Sequence, residues 1–191
     1  MKTKKSSDRR GAAGRKFDPF RDRASRDIRN TLSVAFVAAW QGEGVDYASV
    51  AAGLKERHPH PVYRAYIDQR LERYRAALQD RGELTDPGLL DDVMVLWNRH
   101  LFFEVHEYLE IDWHEARGDF REVLRTLIQA AGGYVHREAG RYQAAEKLGR
   151  RADAQLEALR PHFKAIANLD DLRRGLTEPG AAPPILRRKQ S

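Results

Sequence analysis

The chain has 191 residues, a formal net charge of +6 and 41% hydrophobic residues, which suits one or two small domains with a buried core. It has no cysteine, and this excludes disulfides, zinc–thiolate sites and cysteine nucleophiles. The longest apolar run, residues 32–40, is too short to cross a bilayer, and the N-terminal residues lack the apolar core of a signal peptide. We therefore expect a cytoplasmic protein with no membrane partner.

The two ends of the chain carry its basic charge. Residues 1–23 contain nine basic and three acidic side chains, and the stretch from Pro179 adds three basic side chains and no acid. Neither end has a periodic apolar pattern, so we predict a disordered basic tail at 1–23 and a second one at the end of 164–191. Such tails suit weak, non-specific binding of polyanions such as nucleic acid, although a merely solubilising tail is the more ordinary interpretation.

Helical periodicity covers almost all of the chain between these ends. Apolar residues recur at spacings of three and four, and no run alternates with the period of a strand. Asp86-Pro87 has the pattern of a helix start. We predict an all-α helical bundle of six to eight helices, at about residues 24–41, 46–57, 61–82, 87–97, 101–117, 119–139, 141–160 and 169–175.

The predicted helices fall into two regions and a tail. Residues 24–100 form an N-terminal helical region that packs on a core domain at 101–163, and a short helix opens the segment 164–191. The core domain contains an aromatic pair followed by histidine, glutamate, tryptophan and glutamine at fixed intervals, namely Phe102-Phe103, His106-Glu107, Glu110, Trp113, Gln129 and His136.

In this order and at these spacings, residues 101–148 resemble the domain-of-unknown-function 309 family. The family consists of small all-helical proteins that are sometimes labelled predicted metal-dependent hydrolases. The resemblance therefore implies a helical fold and makes a divalent metal one cofactor to consider. The first hundred residues lie outside it.

The spacing within this segment supports a metal-dependent hydrolase as one hypothesis. Residues four apart on a helix project from the same face. His-Glu-x-x-Glu therefore has the layout of the His-Glu-x-x-His metalloprotease motif, in which the intervening glutamate is the base. On this hypothesis His106, Glu110 and His136 bind the metal, and Glu107 is the catalytic base.

The geometry of the helical hairpin favours a second hypothesis. A tight turn near residue 118 predicts antiparallel packing of the fifth and sixth helices, which places His106 beside Gln129 and Glu110 beside Arg125. His136 then lies about seven residues further along, roughly 10 Å away at the helical rise. We therefore favour a binding or scaffold module in which all five side chains form a buried polar cluster.

Three functions thus stay open from the sequence: the binding or scaffold module, the metal-dependent hydrolase, and weak association with nucleic acid through the basic tails. The partner of the first is a small molecule or another protein, and assembly into a homo-oligomer is compatible with all three.

Overall fold

Eight α-helices and one short 3₁₀ helix make up the computed structural model, which describes residues 16–189. No strand is formed within this range, and the prediction of an all-α bundle is confirmed. The helices are α1 (Arg23–Trp40), α2 (Tyr47–Arg57), α3 (Pro61–Gly82), α4 (Leu89–Asn98), α5 (Phe102–Trp113), α6 (Gly118–Glu138), α7 (Tyr142–Ala158) and α8 (Leu169–Thr177).

The first two helices begin close to their predicted positions, and each is capped by a polar side chain. Asp22 caps α1 by accepting a hydrogen bond from the backbone N–H of Ser25, and Asp46 caps α2 in the same way. Such caps satisfy backbone donors that have no partner within the helix. None of the helices in the described part of the chain is long and apolar enough to span a membrane.

The start of α4 differs from the prediction. Asp86 has a left-handed backbone with a φ of 51° and does not cap the helix. Gly88 is the N-cap, and the side chain of Asp91 accepts a hydrogen bond of 3.0 Å from its backbone N–H. The carboxylate that caps this helix therefore lies inside its first turn rather than ahead of it.

All eight helices contribute to one apolar core. Its centre contains stacked and edge-on aromatic rings, with Phe36 on α1 stacked on Tyr74 of α3 at 3.8 Å between ring centroids. Within the predicted core domain, α6 packs along both α5 and α7. Helix α1 also packs on α5, so the N-terminal region and the core domain share one interior.

The prediction of a disordered C-terminal tail is wrong for residues 180–189. Leu186 is buried, and the side-chain amide of Asn98 pairs with its backbone, donating to its carbonyl at 2.9 Å and accepting from its N–H at 2.7 Å. The indole of Trp97 donates to the carbonyl of Pro184 at 3.0 Å. A short extended segment held by side chains of another helix has no periodicity of its own, so its sequence resembles that of a tail.

The prediction of a disordered N-terminal tail is also wrong for residues 16–22. Residues 1–15 of this tail lie outside the described part of the chain, but residues 16–22 pack on the bundle. The ring of Phe17 stacks on Tyr66 of α3 at 3.6 Å, and the ring of Phe20 stacks on His136 of α6 at 4.8 Å. Two aromatic side chains therefore fix a segment that its basic composition alone would leave in solvent.

Candidate functional site

A cleft lined by aromatic and ionisable side chains lies between α1, α3, α5, α6 and the segment before α1. It consists of two adjoining cavities of about 250 Å³ each. Both are lined by Phe20, Arg29, Phe103 and Val135. Because they share this wall, we treat them as the two ends of one cleft.

We call the first end the cationic cavity, and it is further lined by Lys16, Phe17, Tyr66, Arg70, Arg73 and Glu138. We call the second end the histidine cavity, and it is further lined by His106, Ile128, Gln129, Gly132, His136 and Leu148.

The structure brings three of the five predicted cluster residues, His106, Gln129 and His136, to the histidine cavity. The ring of His136 stacks on Phe20, and its Nδ1 accepts a hydrogen bond of 3.1 Å from Arg141. Burial, together with the positive charge of nearby Arg141, lowers the pKa of His136. Both effects favour the neutral form of this histidine.

The prediction that Arg125 lies beside Glu110 in the polar cluster is wrong. Arg125 pairs with Glu122, three residues earlier on its own helix, and its side chain is 44% exposed. The register of a hairpin gives the level of each residue along the helix axis but not the direction of its side chain around that axis. Arg125 lies on the solvent side of α6, so the five residues do not form one buried cluster.

His106, Glu107 and Glu110 form a compact group at the edge of the histidine cavity. His106 Nδ1 lies 3.4 Å from Glu107 Oε1 and 3.6 Å from Glu110 Oε2. The Nδ1 atom itself is buried and has no hydrogen-bond partner. These separations are close to those of atoms that each lie about 2.1 Å from a common zinc ion.

His136 is not part of this group, whose possible ligand atoms all lie within 4.8 Å of one another. Glu107, which the sequence suggests as a base, is instead as close to His106 as Glu110 is. Within residues 16–189, the group that fits a metal is therefore His106, Glu107 and Glu110, all from one helix.

A buried charge network that the sequence analysis missed lies behind the cationic cavity. Glu104 on α5 is completely buried, and it accepts a hydrogen bond of 2.6 Å from the hydroxyl of Tyr74 on α3. The guanidinium of Arg70, also buried, lies 3.8 Å from Glu104 and donates to the carbonyl of His100 at 2.9 Å. The network ties α3 to α5 and to the turn that precedes α5.

The electrostatics of this network keep Arg70 charged. Burial disfavours its charge, but Glu104 and the other acidic groups nearby together outweigh this effect and hold the pKa of Arg70 well above its usual value. The sequence contains a weak indication of this network. Arg70 and Tyr74 are four residues apart on the apolar face of α3, where a charged residue is uncommon unless it is paired.

Comparison with known protein families gives a match for one part of the chain. Residues 90–148 match the family described as "Domain of unknown function (DUF309)", which confirms the resemblance drawn from the motif. The match covers less than a third of the chain, from α4 into α7. Comparisons with curated proteins and with solved structures give no match.

Proposed function

We propose that this protein is a small-molecule-binding helical protein whose ligand occupies the cleft formed by the cationic and histidine cavities. The observation that carries the proposal is that the two cavities adjoin one aromatic wall, with ionisable side chains in the lining of each. A concave site with apolar walls and a few convergent polar groups is the usual form of a ligand site.

The buried network supports this proposal because it fixes one wall of the cleft. Arg70 belongs both to the network and to the lining of the cationic cavity. The hydrogen bonds from Tyr74 to Glu104 and from Arg70 to the carbonyl of His100 hold α3 against α5, so Arg70 is fixed on a helix of the bundle. Preformed sites of this kind bind with a smaller loss of conformational entropy.

Both parts of the chain contribute to the proposed site. Phe103, His106, Gln129 and His136 come from the segment that matches the family model. The lining of the cationic cavity comes mainly from α1, α3 and residues 16–20, which lie outside that match. The ligand would therefore be specified by the N-terminal region as much as by the family segment.

The first test uses N-phenyl-1-naphthylamine, a neutral dye whose fluorescence rises in apolar sites. We expect one-to-one binding to the full chain and about tenfold weaker binding to Phe103→Ala, because the variant removes part of the aromatic wall shared by both cavities. Fluorescence titration measures both values. Phe120→Ala is the matched control, since Phe120 is half exposed and lies outside the cleft.

Two results would contradict the proposal. One is the absence of saturable dye binding. The other is equal loss of binding in Phe103→Ala and Phe120→Ala, which would indicate that the dye binds to the surface of the bundle.

The second candidate function is a metal-dependent hydrolase, favoured by the close approach of His106, Glu107 and Glu110 and by the unpartnered Nδ1 of His106. A divalent metal held by these three residues would supply Lewis-acid chemistry and an activated water. His136, which lines the same cavity, would contact the substrate rather than the metal. On this candidate, Glu107 is a ligand rather than the base.

This candidate predicts that Zn²⁺ binds to the full chain with one-to-one stoichiometry, and that His106→Asn weakens the binding at least about tenfold. Isothermal titration calorimetry measures the affinity. His114→Asn is the control, because His114 is exposed near the end of the same helix. Equal zinc affinity in the two variants would remove the hydrolase candidate and leave the small-molecule site unaffected.

Association with nucleic acid through the tails has little support among the described residues. Arg187 lies 3.8 Å from Asp171, and Arg188 lies 3.1 Å from Asp91. These basic side chains are already near carboxylates, and residues 1–15 lie outside the described part of the chain. We therefore do not propose this function.

A further inference from the structure

We infer that the ligand of the cleft is an organic anion, a carboxylate or phosphate ester on a planar aromatic body, whose anionic group binds at the cationic cavity. The inference rests on the proposed small-molecule site and adds the chemical class of its ligand. It is carried by two observations: an excess of cations that lack carboxylate partners, and the flat aromatic surfaces beside them.

The lining of the cationic cavity is strongly unbalanced in charge. Four basic side chains line it, namely Lys16, Arg29, Arg70 and Arg73, against the single carboxylate of Glu138. Only Arg70 has a buried carboxylate, that of Glu104, beside it. The other three basic side chains therefore create a positive potential inside a partly enclosed space, which favours an anionic ligand.

Two of these cations are half buried and donate hydrogen bonds to neutral acceptors. Arg29 lies 3.8 Å from the centre of the Phe103 ring, and its hydrogen bonds go to the neutral amide oxygen of Asn30. Arg73 donates to the carbonyl of His100 at 3.1 Å. Among the described residues, neither has a carboxylate at ion-pair distance.

Removing such a group from water has a cost that a neutral acceptor offsets only in part. In agreement with this, burial lowers the pKa of Arg29 and of Arg73. A ligand carboxylate or phosphate would supply the missing charge, and arginine is the side chain best suited to bind either group through paired N–H donors.

The aromatic surfaces indicate the rest of the ligand. The ring of Phe17 stacks on Tyr66, and Phe20 and Phe103 form the wall shared with the histidine cavity. Flat apolar walls of this kind favour a planar ring over a branched aliphatic chain. A ring placed against the shared wall would have its charged substituent beside Arg29, which contacts both of these phenylalanines.

The test compares 2-naphthoate with 2-naphthamide, which have the same ring system and nearly the same shape but differ in charge. Isothermal titration calorimetry with the full chain should give at least about tenfold tighter binding of 2-naphthoate. The double variant Arg29→Gln/Arg73→Gln should abolish this preference. Arg75→Gln, at an exposed position on α3 outside the cavity, should retain it.

A parallel titration with 2-naphthyl phosphate identifies the anionic group. Tighter binding of the phosphate than of 2-naphthoate assigns a phosphate ester, and the reverse order assigns a carboxylate; both results support the inference.

Equal affinity for 2-naphthoate and 2-naphthamide, or a preference that survives in the double variant, would overturn the inference while leaving the small-molecule site in place. Failure of all three naphthalene compounds to bind would also overturn it. In that case, saturable binding of N-phenyl-1-naphthylamine that depends on Phe103 would show that the proposed function stands without it.

Discussion

Glu104→Gln should destabilise the protein by about 3–5 kcal/mol, because the change removes the charge that compensates a buried arginine. The side chain of Arg70 is only 5% exposed and that of Glu104 only 1%, so water cannot replace the lost carboxylate charge. The hydroxyl of Tyr74 also loses an ionised acceptor. Urea unfolding followed by far-UV circular dichroism measures the change in the free energy of unfolding.

Two further variants separate the effect of charge from that of side-chain replacement. Glu107→Gln, on the same helix but 24% exposed, should change the free energy of unfolding by less than about 1 kcal/mol. The double variant Arg70→Met/Glu104→Leu should be more stable than Glu104→Gln, because it leaves no buried charge unpaired. A loss below about 1 kcal/mol in Glu104→Gln would contradict the assignment of this pair as a buried ion pair.

Gly149→Ala should destabilise the protein by about 3 kcal/mol, at the upper end of the usual cost of overpacking. A Cβ at Gly149 on α7 would overlap the backbone carbonyl oxygen of Leu176 on α8 and lie 3.2 Å from its carbonyl carbon. Backbone atoms cannot rotate away as a side chain does, so α7 and α8 would have to separate. Thermal and urea unfolding of the variant measure the loss.

Gly53→Ala is the matched control for this prediction. It is also a helical glycine, but a Cβ there would meet only the end of the Arg57 side chain, at 3.7 Å. It should stabilise the protein by about 0.4–1 kcal/mol, because alanine has the higher helix propensity and restricts the unfolded chain. Equal stabilisation by the two substitutions would contradict the close approach of α7 and α8.

The sequence predicts the helices well because their positions depend on local information. Apolar spacing, caps and glycine interruptions are all properties of neighbouring residues. The predicted disorder of residues 16–22 and 180–189 is wrong because the order of these segments is not a local property. Their order depends on contacts with distant side chains, such as those of Phe17 with Tyr66 and of Leu186 with Asn98, and no local pattern encodes these contacts.

The candidate site could be predicted only in part. The motif identified His106, Gln129 and His136, which do line one cavity. It could not identify Arg29, Arg70 or Arg73, because these residues lie on helices that the motif does not cover. They come close to the motif residues only in the folded bundle. The predicted position of Arg125 beside Glu110 is wrong because the direction of the Arg125 side chain around α6 depends on packing rather than on register.

The most direct test of the central claim, that the cleft binds an organic anion, is to locate bound 2-naphthoate by intermolecular nuclear Overhauser effects in the labelled protein. We predict contacts from the naphthalene protons to the ring of Phe103 and the methyl groups of Val135, both of which line the two cavities. These contacts should weaken in Arg29→Gln/Arg73→Gln at the same ligand concentration, because the variant binds 2-naphthoate less tightly. Contacts confined to the exposed apolar residues Val34 and Val45 would contradict it.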